Sequence, residues 1–220
     1  MRPKKRLCHR WLLAAAVSAL PATALAARAP QQFIREASDQ VKSILAVKVA
    51  KGSQKEKAQK ARLKKVVDRF LDYRELSRRA LGPHWKDRGP EQQSEFVNLL
   101  RDLIEESYTG SIRKNIDYEL EIENAEIDDD GAKAHVYAVA SSKNDKGREV
   151  SEFLTFHLYL KDRSWMIYDV EFGDVSLVRH YRGEFNRKIK KESYRALVEV
   201  MRKKLAEIRS GKKPGRKVEL

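Results

Sequence analysis

The side chains with the clearest chemical potential in this chain are four of its five histidines, one aspartate and a pair of arginines. His84, His135, His157 and His180 are isolated from one another in sequence. His135 and His157 fall in stretches that alternate in polarity, so neighbouring strands could bring them together. Two imidazoles could begin a zinc site, but such a site needs at least a third protein ligand. No third ligand sits at a suitable spacing, so ordinary hydrogen-bonded histidines are the expectation. Asp169 lies between Tyr168 and Val170. Buried in an apolar cleft it would have a raised pKa, as a general base requires. The competing reading is structural: a carboxylate near a strand end can accept backbone or arginine hydrogen bonds and fix a corner. Arg78 and Arg79 could hold a phosphate, yet Asp72, Glu75 and Asp87 are closer partners. Asp128-Asp129-Asp130-Gly131 lacks the alternation and final glutamate of a calcium loop and reads as a turn. There is no Gly-rich phosphate loop, no G-x-S-x-G and no HExxH. The chain is therefore expected to be no enzyme, with no catalytic residue, no metal and no cofactor. An enzyme acting on a small hydrophobic substrate through Asp169 or a histidine stands as the alternative.

Residues 1–26 read as a leader. Arg2, Lys4, Lys5, Arg6 and Arg10 precede an apolar run from Trp11 to Leu20, which Pro21 breaks. Ala24-Leu25-Ala26 supplies the small residues of a cleavage site after Ala26. The run is too short for a transmembrane anchor. Cys8 is the single cysteine and lies inside the leader, so the remaining chain must rely on a packed core rather than disulfides. The full chain has 46 basic and 32 acidic residues, a formal charge of +14. Removing the leader takes away five basic residues and no acidic ones, leaving +9. A basic chain can meet nucleic acid, but one secreted into an envelope meets anionic lipid head groups instead. No nucleic-acid partner is expected.

Helical spacing dominates residues 27–117. Phe33, Ala37, Val41, Ile44 and Leu45 form one stripe, and Ala58, Ala61, Leu63, Val66, Val67, Phe70 and Leu71 a second. Leu76, Ala80 and Leu81 make a short helix stopped by Gly82-Pro83. Trp85 sits between two Gly-Pro pairs and should plug its loop onto the core. Gly89 and Pro90 begin a helix expected over 90–109, with Phe96, Leu99, Leu100, Leu103, Ile104 and Tyr108 on one face. The period changes to two from Tyr118. Four strands with short turns follow within 118–176, an antiparallel meander. Two further helices, within 177–209, carry Leu177, Tyr181, Phe185 and Ile189, then Tyr194, Leu197, Val198, Met201, Leu205 and Ile208. Tyr181 should face the apolar stripe, and Arg182 should be structural. Residues 210–220 read as a basic, disordered tail. Segregated helices and strands define an α+β fold.

Two blocks resemble one family. The first is Asp72-Tyr73, Ser77-Arg78-Arg79-Ala80-Leu81-Gly82, Trp85 and Pro90-Glu91-Gln92-Gln93 with Phe96. The second is Trp165-Met166-Ile167-Tyr168-Asp169-Val170, Val175-Ser176-Leu177-Val178, Tyr181-Arg182 and Phe185. Their order and spacing resemble the periplasmic phospholipid shuttle proteins called MlaC, or toluene-tolerance auxiliary proteins, over roughly Phe33 to Ile208. The chain departs from that pattern at Asp174, inserted between Gly173 and Val175, and at Lys191-Glu192-Ser193-Tyr194.

The resemblance implies an NTF2-like curved four-stranded sheet against a helical subdomain, with an apolar cavity between them. It implies a single domain over 27–209, a monomer in the periplasm. It also implies a phospholipid ligand, an inner-membrane MCE-domain protein with its ABC transporter, and an outer-membrane lipoprotein–porin complex as partners. Burying acyl chain is worth about 0.8 kcal/mol per methylene. Two chains of roughly fifteen carbons then represent on the order of 20 kcal/mol of exposure to avoid. The residues expected to line the cavity, from stripes facing the sheet, are Phe96, Leu100, Leu103, Tyr108, Val139, Phe156, Leu158, Val170, Val175, Leu177, Tyr181 and Phe185.

Overall fold

The computed structural model describes residues 28–50, 52–114, 118–143 and 147–210, with the side chains of 108–114 outside that description. The expected leader, and all of the expected tail after Ser210, lie outside the described residues.

Local sequence signals set the helix starts. Helix α1 (Pro30–Leu45) begins on a proline, whose fixed φ suits the first turn. Ser53 caps α2 (Gln54–Phe70) by accepting the Glu56 N–H at 3.1 Å. Asp72 caps α3 (Tyr73–Leu81), accepting the N–H groups of Arg74 and Glu75, both at 3.0 Å. Gly82, at φ 59°, ends α3 in a conformation that disfavours a side chain, and a 3-10 turn follows over Gly82–Trp85. Helix α4 (Pro90–Lys114) starts at the expected proline and continues past the expected end at residue 109.

The sheet is a meander in the order β1 (Glu119–Ile127), β2 (Lys133–Lys143), β3 (Glu149–Lys161), β4 (Ser164–Phe172) and β5 (Val175–Ser176), all pairs antiparallel. Four strands were expected. The fifth is two residues long, too short for a period of two to register in sequence. The β3–β4 turn places Asp162 and Arg163 at φ 48° and 66°, a left-handed two-residue hairpin made without glycine. Ser176 then caps α5 (Leu177–Lys191) through the Arg179 N–H at 2.9 Å, and Ser193 caps α6 (Tyr194–Arg209) through the Ala196 N–H at 3.1 Å.

Pairing slips by one residue in two places, between Ile122 and Asn124 on β1 and opposite His157/Leu158 on β4. Each slip is a bulge that bends the ladder. On β4 the extra residue is Tyr168, since Leu158 faces Ile167 and His157 faces Asp169.

Two apolar clusters result. The helical one joins α3, the 3-10 turn, α4, α5 and α6 through Leu76, Leu81, Phe96, Leu100, Leu103, Tyr181, Phe185, Leu197 and Met201. Phe96 meets Phe185 edge-on at 5.3 Å, and Tyr181 stacks on Phe185 at 5.4 Å. The second cluster joins Phe33 and Ile34 of α1 and Phe70 of α2 to one sheet face, through Ala134, Val136, Leu158, Trp165 and Ile167. Its margin is apolar but only half-buried: Leu120, Ile122, Ala125, Phe156, Leu160 and Val170.

Candidate functional site

Strand alternation gives the sheet two chemically distinct faces. Ala134, Val136, Phe156, Leu158 and Ile167 turn to α1 and α2. The residues between them, His135, Tyr137, His157 and Tyr159, turn the other way. The Tyr168 bulge shifts the phase of β4, so Asp169 joins this polar face beside His157 while Val170 returns to the apolar one.

The polar face is where α3 and α5 meet the sheet. Asp72 anchors one junction. Its Oδ1 caps α3, and its Oδ2 accepts Tyr159 Oη at 2.5 Å and Lys161 Nζ at 2.8 Å. The Asp72 N–H reaches the Ile167 carbonyl at 2.8 Å. Burial alone would raise the Asp72 carboxyl, but the bonds from Lys161, Tyr159 and the Glu75 N–H hold it below its ordinary value. Asp169 anchors the other junction. It is 6% exposed, takes Ser176 Oγ at 2.5 Å on Oδ2, and takes the Val178 N–H at 2.9 Å on Oδ1. This is the structural role set beside catalysis for Asp169 in the sequence, a carboxylate fixing a corner.

Beside Asp169, His135 and His157 lie directly across β2 and β3, with ring centroids 4.6 Å apart. His157 Nε2 is 3.1 Å from Glu171 Oε1 yet out of line for a hydrogen bond, so this buried nitrogen has no hydrogen-bond partner. Burial lowers the His157 pKa, against the opposing pull of Asp169 and Glu171. Donor atoms of His157, Asp169 and Glu171 all lie within 4.8 Å of one another. Strand β4 thus brings two carboxylates, Asp169 and Glu171, beside His157, a proximity that sequence spacing did not show.

The expected ion pairs of Arg78 and Arg79 form locally. Both bond Glu75: Arg78 Nε and Nη2 at 2.7 and 2.6 Å, and Arg79 Nε at 2.7 Å. Arg79 also lies over the Tyr168 ring, 3.8 Å from its centroid. Arg182 donates to the Arg79 carbonyl at 2.9 Å, joining α5 to α3. Trp85 is buried in the helical cluster, and Gln93 Nε2 ties its carbonyl at 3.2 Å.

The residues expected to line a cavity divide between regions. Phe96, Leu100, Leu103, Leu177, Tyr181 and Phe185 belong to the helical cluster. Phe156, Leu158 and Val170 belong to the apolar sheet face. Val139 is half-buried in neither cluster, Val175 is half-exposed on β5, and the Tyr108 side chain lies outside the described residues. The expectation that the α4 stripe of Phe96, Leu100 and Leu103 faces the sheet is thereby corrected: it packs among α3, α5 and α6. Periodicity reports that a helix face is buried, not which neighbour buries it. Leu120, Ile122 and Leu160, absent from the expected lining, lie half-buried at the margin of the same sheet face.

Among the described residues, no helix is long and apolar enough to cross a membrane. The fold is similar to that of a phospholipid-binding protein from Ralstonia solanacearum, solved in complex with a phospholipid. The TM-score is 0.67 and the identity 19%, over 81% of this chain and 98% of that one. At that identity the likeness speaks to the fold. No curated protein matches this sequence. Residues 35–203 match the family described as MlaC protein, which is most of the chain. With both sequence blocks inside that span, and the helices and sheet arranged as described, the chain belongs to the MlaC protein family.

Proposed function

We propose that this protein is a soluble periplasmic carrier of glycerophospholipid, holding acyl chains on the apolar sheet face beneath its helices. It shuttles lipid between the inner and outer membranes and contributes to outer-membrane lipid asymmetry. The observation that carries this reading is the half-covered apolar margin of the sheet, in a member of the MlaC family whose fold matches a phospholipid-binding protein. Apolar surface left half in water favours an apolar ligand by about 25 cal/mol for each Å² it covers. Leu120, Ile122, Phe156, Leu160 and Val170 form the first contact surface. Binding of this kind is non-directional, so head-group selectivity is weak. The helical residues of the expected lining serve the fold that supports this surface.

Delivery rests on docking to an inner-membrane MCE-domain protein with its ABC transporter and to an outer-membrane lipoprotein–porin complex. Release is then coupled to docking, with no covalent step in this chain. The test is mass spectrometry of lipid extracted from the purified secreted protein, paired with transfer of labelled phospholipid between vesicles. Phospholipid near one molecule per chain, with transfer above the spontaneous rate, is the expected result. Protein that is repeatedly lipid-free and inactive in transfer overturns it.

A further inference from the structure

The polar face of the sheet carries a group of side chains that lipid carriage does not use. His135, His157 and Asp169 stand in register on β2, β3 and β4, with Glu171 two residues along β4. The geometry points to a zinc-binding site formed by His157, Asp169 and Glu171, with His135 completing the coordination.

The residue types suit the ion. Zinc takes imidazole nitrogen and carboxylate oxygen at about 2.0–2.2 Å, which sets neighbouring donors about 3.3 Å apart in a tetrahedron. His157 Nε2 and Glu171 Oε1 already stand 3.1 Å apart, and the three donors lie within 4.8 Å. His135, directly opposite His157 and with its ring 4.6 Å away, is the adjacent imidazole assigned as the fourth ligand. The site also resolves an accounting problem. His157 Nε2 is buried without a hydrogen bond although a carboxylate is beside it, and a buried polar atom of that kind calls for a partner. A metal ion supplies one along the ring lone pair.

The surroundings are arranged as a supporting shell. Each Asp169 oxygen accepts a single hydrogen bond, from Ser176 Oγ or the Val178 N–H, and keeps a lone pair for an ion. Those two bonds fix the carboxylate, as outer partners do around a metal. Of the two carboxylates, Glu171 meets a cation, Arg179, whose Nη2 bonds its Oε1 at 2.9 Å from a side chain that is 67% exposed. A divalent ion neutralises the two carboxylates once it displaces the exposed Arg179 side chain from Glu171.

The experiment is calorimetric titration of zinc chloride into the chelator-stripped, untagged secreted protein, with cobalt(II) absorption as the coordination readout. The expected result is one ion per chain and the intense visible bands of four-coordinate cobalt. His157→Gln and Glu171→Gln each weaken binding at least about tenfold while circular dichroism shows the parental fold. Arg179→Gln removes only an exposed competitor and tightens binding a few-fold. Absence of saturable one-to-one binding overturns the assignment, as does parental affinity in His157→Gln. The titration is independent of lipid, so its failure leaves the carrier reading standing, and a lipid-free protein that binds zinc leaves the site standing.

Discussion

The two apolar clusters are built from similar residues but finished differently. In the helical cluster, Leu76, Phe96, Leu100, Leu103, Tyr181, Phe185, Leu197 and Met201 have essentially no exposure. Five helical elements close around them from all sides. On the sheet, Val136 and Leu158 are as well buried, but Ile122, Phe156 and Val170 around them keep partial contact with water. Among the described residues, α1 and the end of α2 are the helices packed on that face. A complete core gives rigidity and leaves nothing to offer a ligand, whereas an incomplete one trades stability for apolar surface. Under the proposed function, the helical cluster is the frame and the sheet face the working surface.

The sharpest way to break that distinction is to truncate equivalent side chains in each region. Phe96→Ala in the helical cluster is expected to lower unfolding free energy by about 3–5 kcal/mol, read from urea denaturation, because the close-packed site cannot collapse. Phe156→Ala at the sheet margin is expected to lower it by only about 1–2 kcal/mol, since part of that ring is already in water. Equal losses would end the contrast between frame and surface.

The next largest effect concerns Asp72, which fastens the helical frame to β3. Asp72→Asn weakens the Lys161 and Tyr159 bonds and should cost about 1–3 kcal/mol. The sign of its pH dependence follows from the lowered carboxyl. With the native value below the unfolded value of 3.8, the unfolded chain takes up the proton first. Stability is therefore fully present above that unfolded value and drains away as pH falls through it towards the native one. Urea midpoints between pH 6 and 3 should show a steeper acid loss in the parent than in Asp72→Asn. Parallel curves would sink this account.

The lipid phenotype should run opposite to the stability ranking. Ile122→Asn with Phe156→Ala is expected to reduce copurified phospholipid severalfold, by mass spectrometry, with a small change in melting temperature. Leu100→Ala should reduce melting temperature and leave lipid per folded chain unchanged. Retained lipid in the sheet-face double variant would move the working surface elsewhere. The smallest effect is at the β3–β4 turn, where Arg163 holds a φ of 66°. Arg163→Gly relieves a left-handed conformation worth about 1 kcal/mol, offset by the greater freedom of glycine when unfolded. A rise of a few tenths of a kcal/mol is expected in thermal or urea unfolding; a fall would show that the turn is unstrained.

Element type was legible where a period or a cap was strong. Pro90 and the stripe from Phe96 marked α4, Gly82 marked the end of α3, and the change to a period of two from Tyr118 marked the sheet. Arg78 and Arg79 were legible as local ion pairs because Glu75 lies three and four residues before them. Relations between elements were not legible. Nothing in the stripe of α4 says that α3, α5 and α6 surround it. Asp169 and Glu171 gave no sign of converging on His157, because that depends on strand register and on one bulged residue. β5 is held by its pairing with Glu171 and Phe172, a long-range condition that two residues cannot announce.

That bulged residue has a consequence for how the chain can vary in length. Along an ordinary strand, losing one residue swaps inside for outside in everything that follows. Tyr168 already introduces such a swap, between Ile167 and Val170. Deleting it would leave Trp165 and Ile167 facing inward, Asp169 outward and Val170 inward, now on an unbroken ladder. The bulge thus acts as a spare letter in a reading frame. It is the one place in β4 where a codon can be lost without scrambling the message, at the cost of the Arg79 contact with the tyrosine ring.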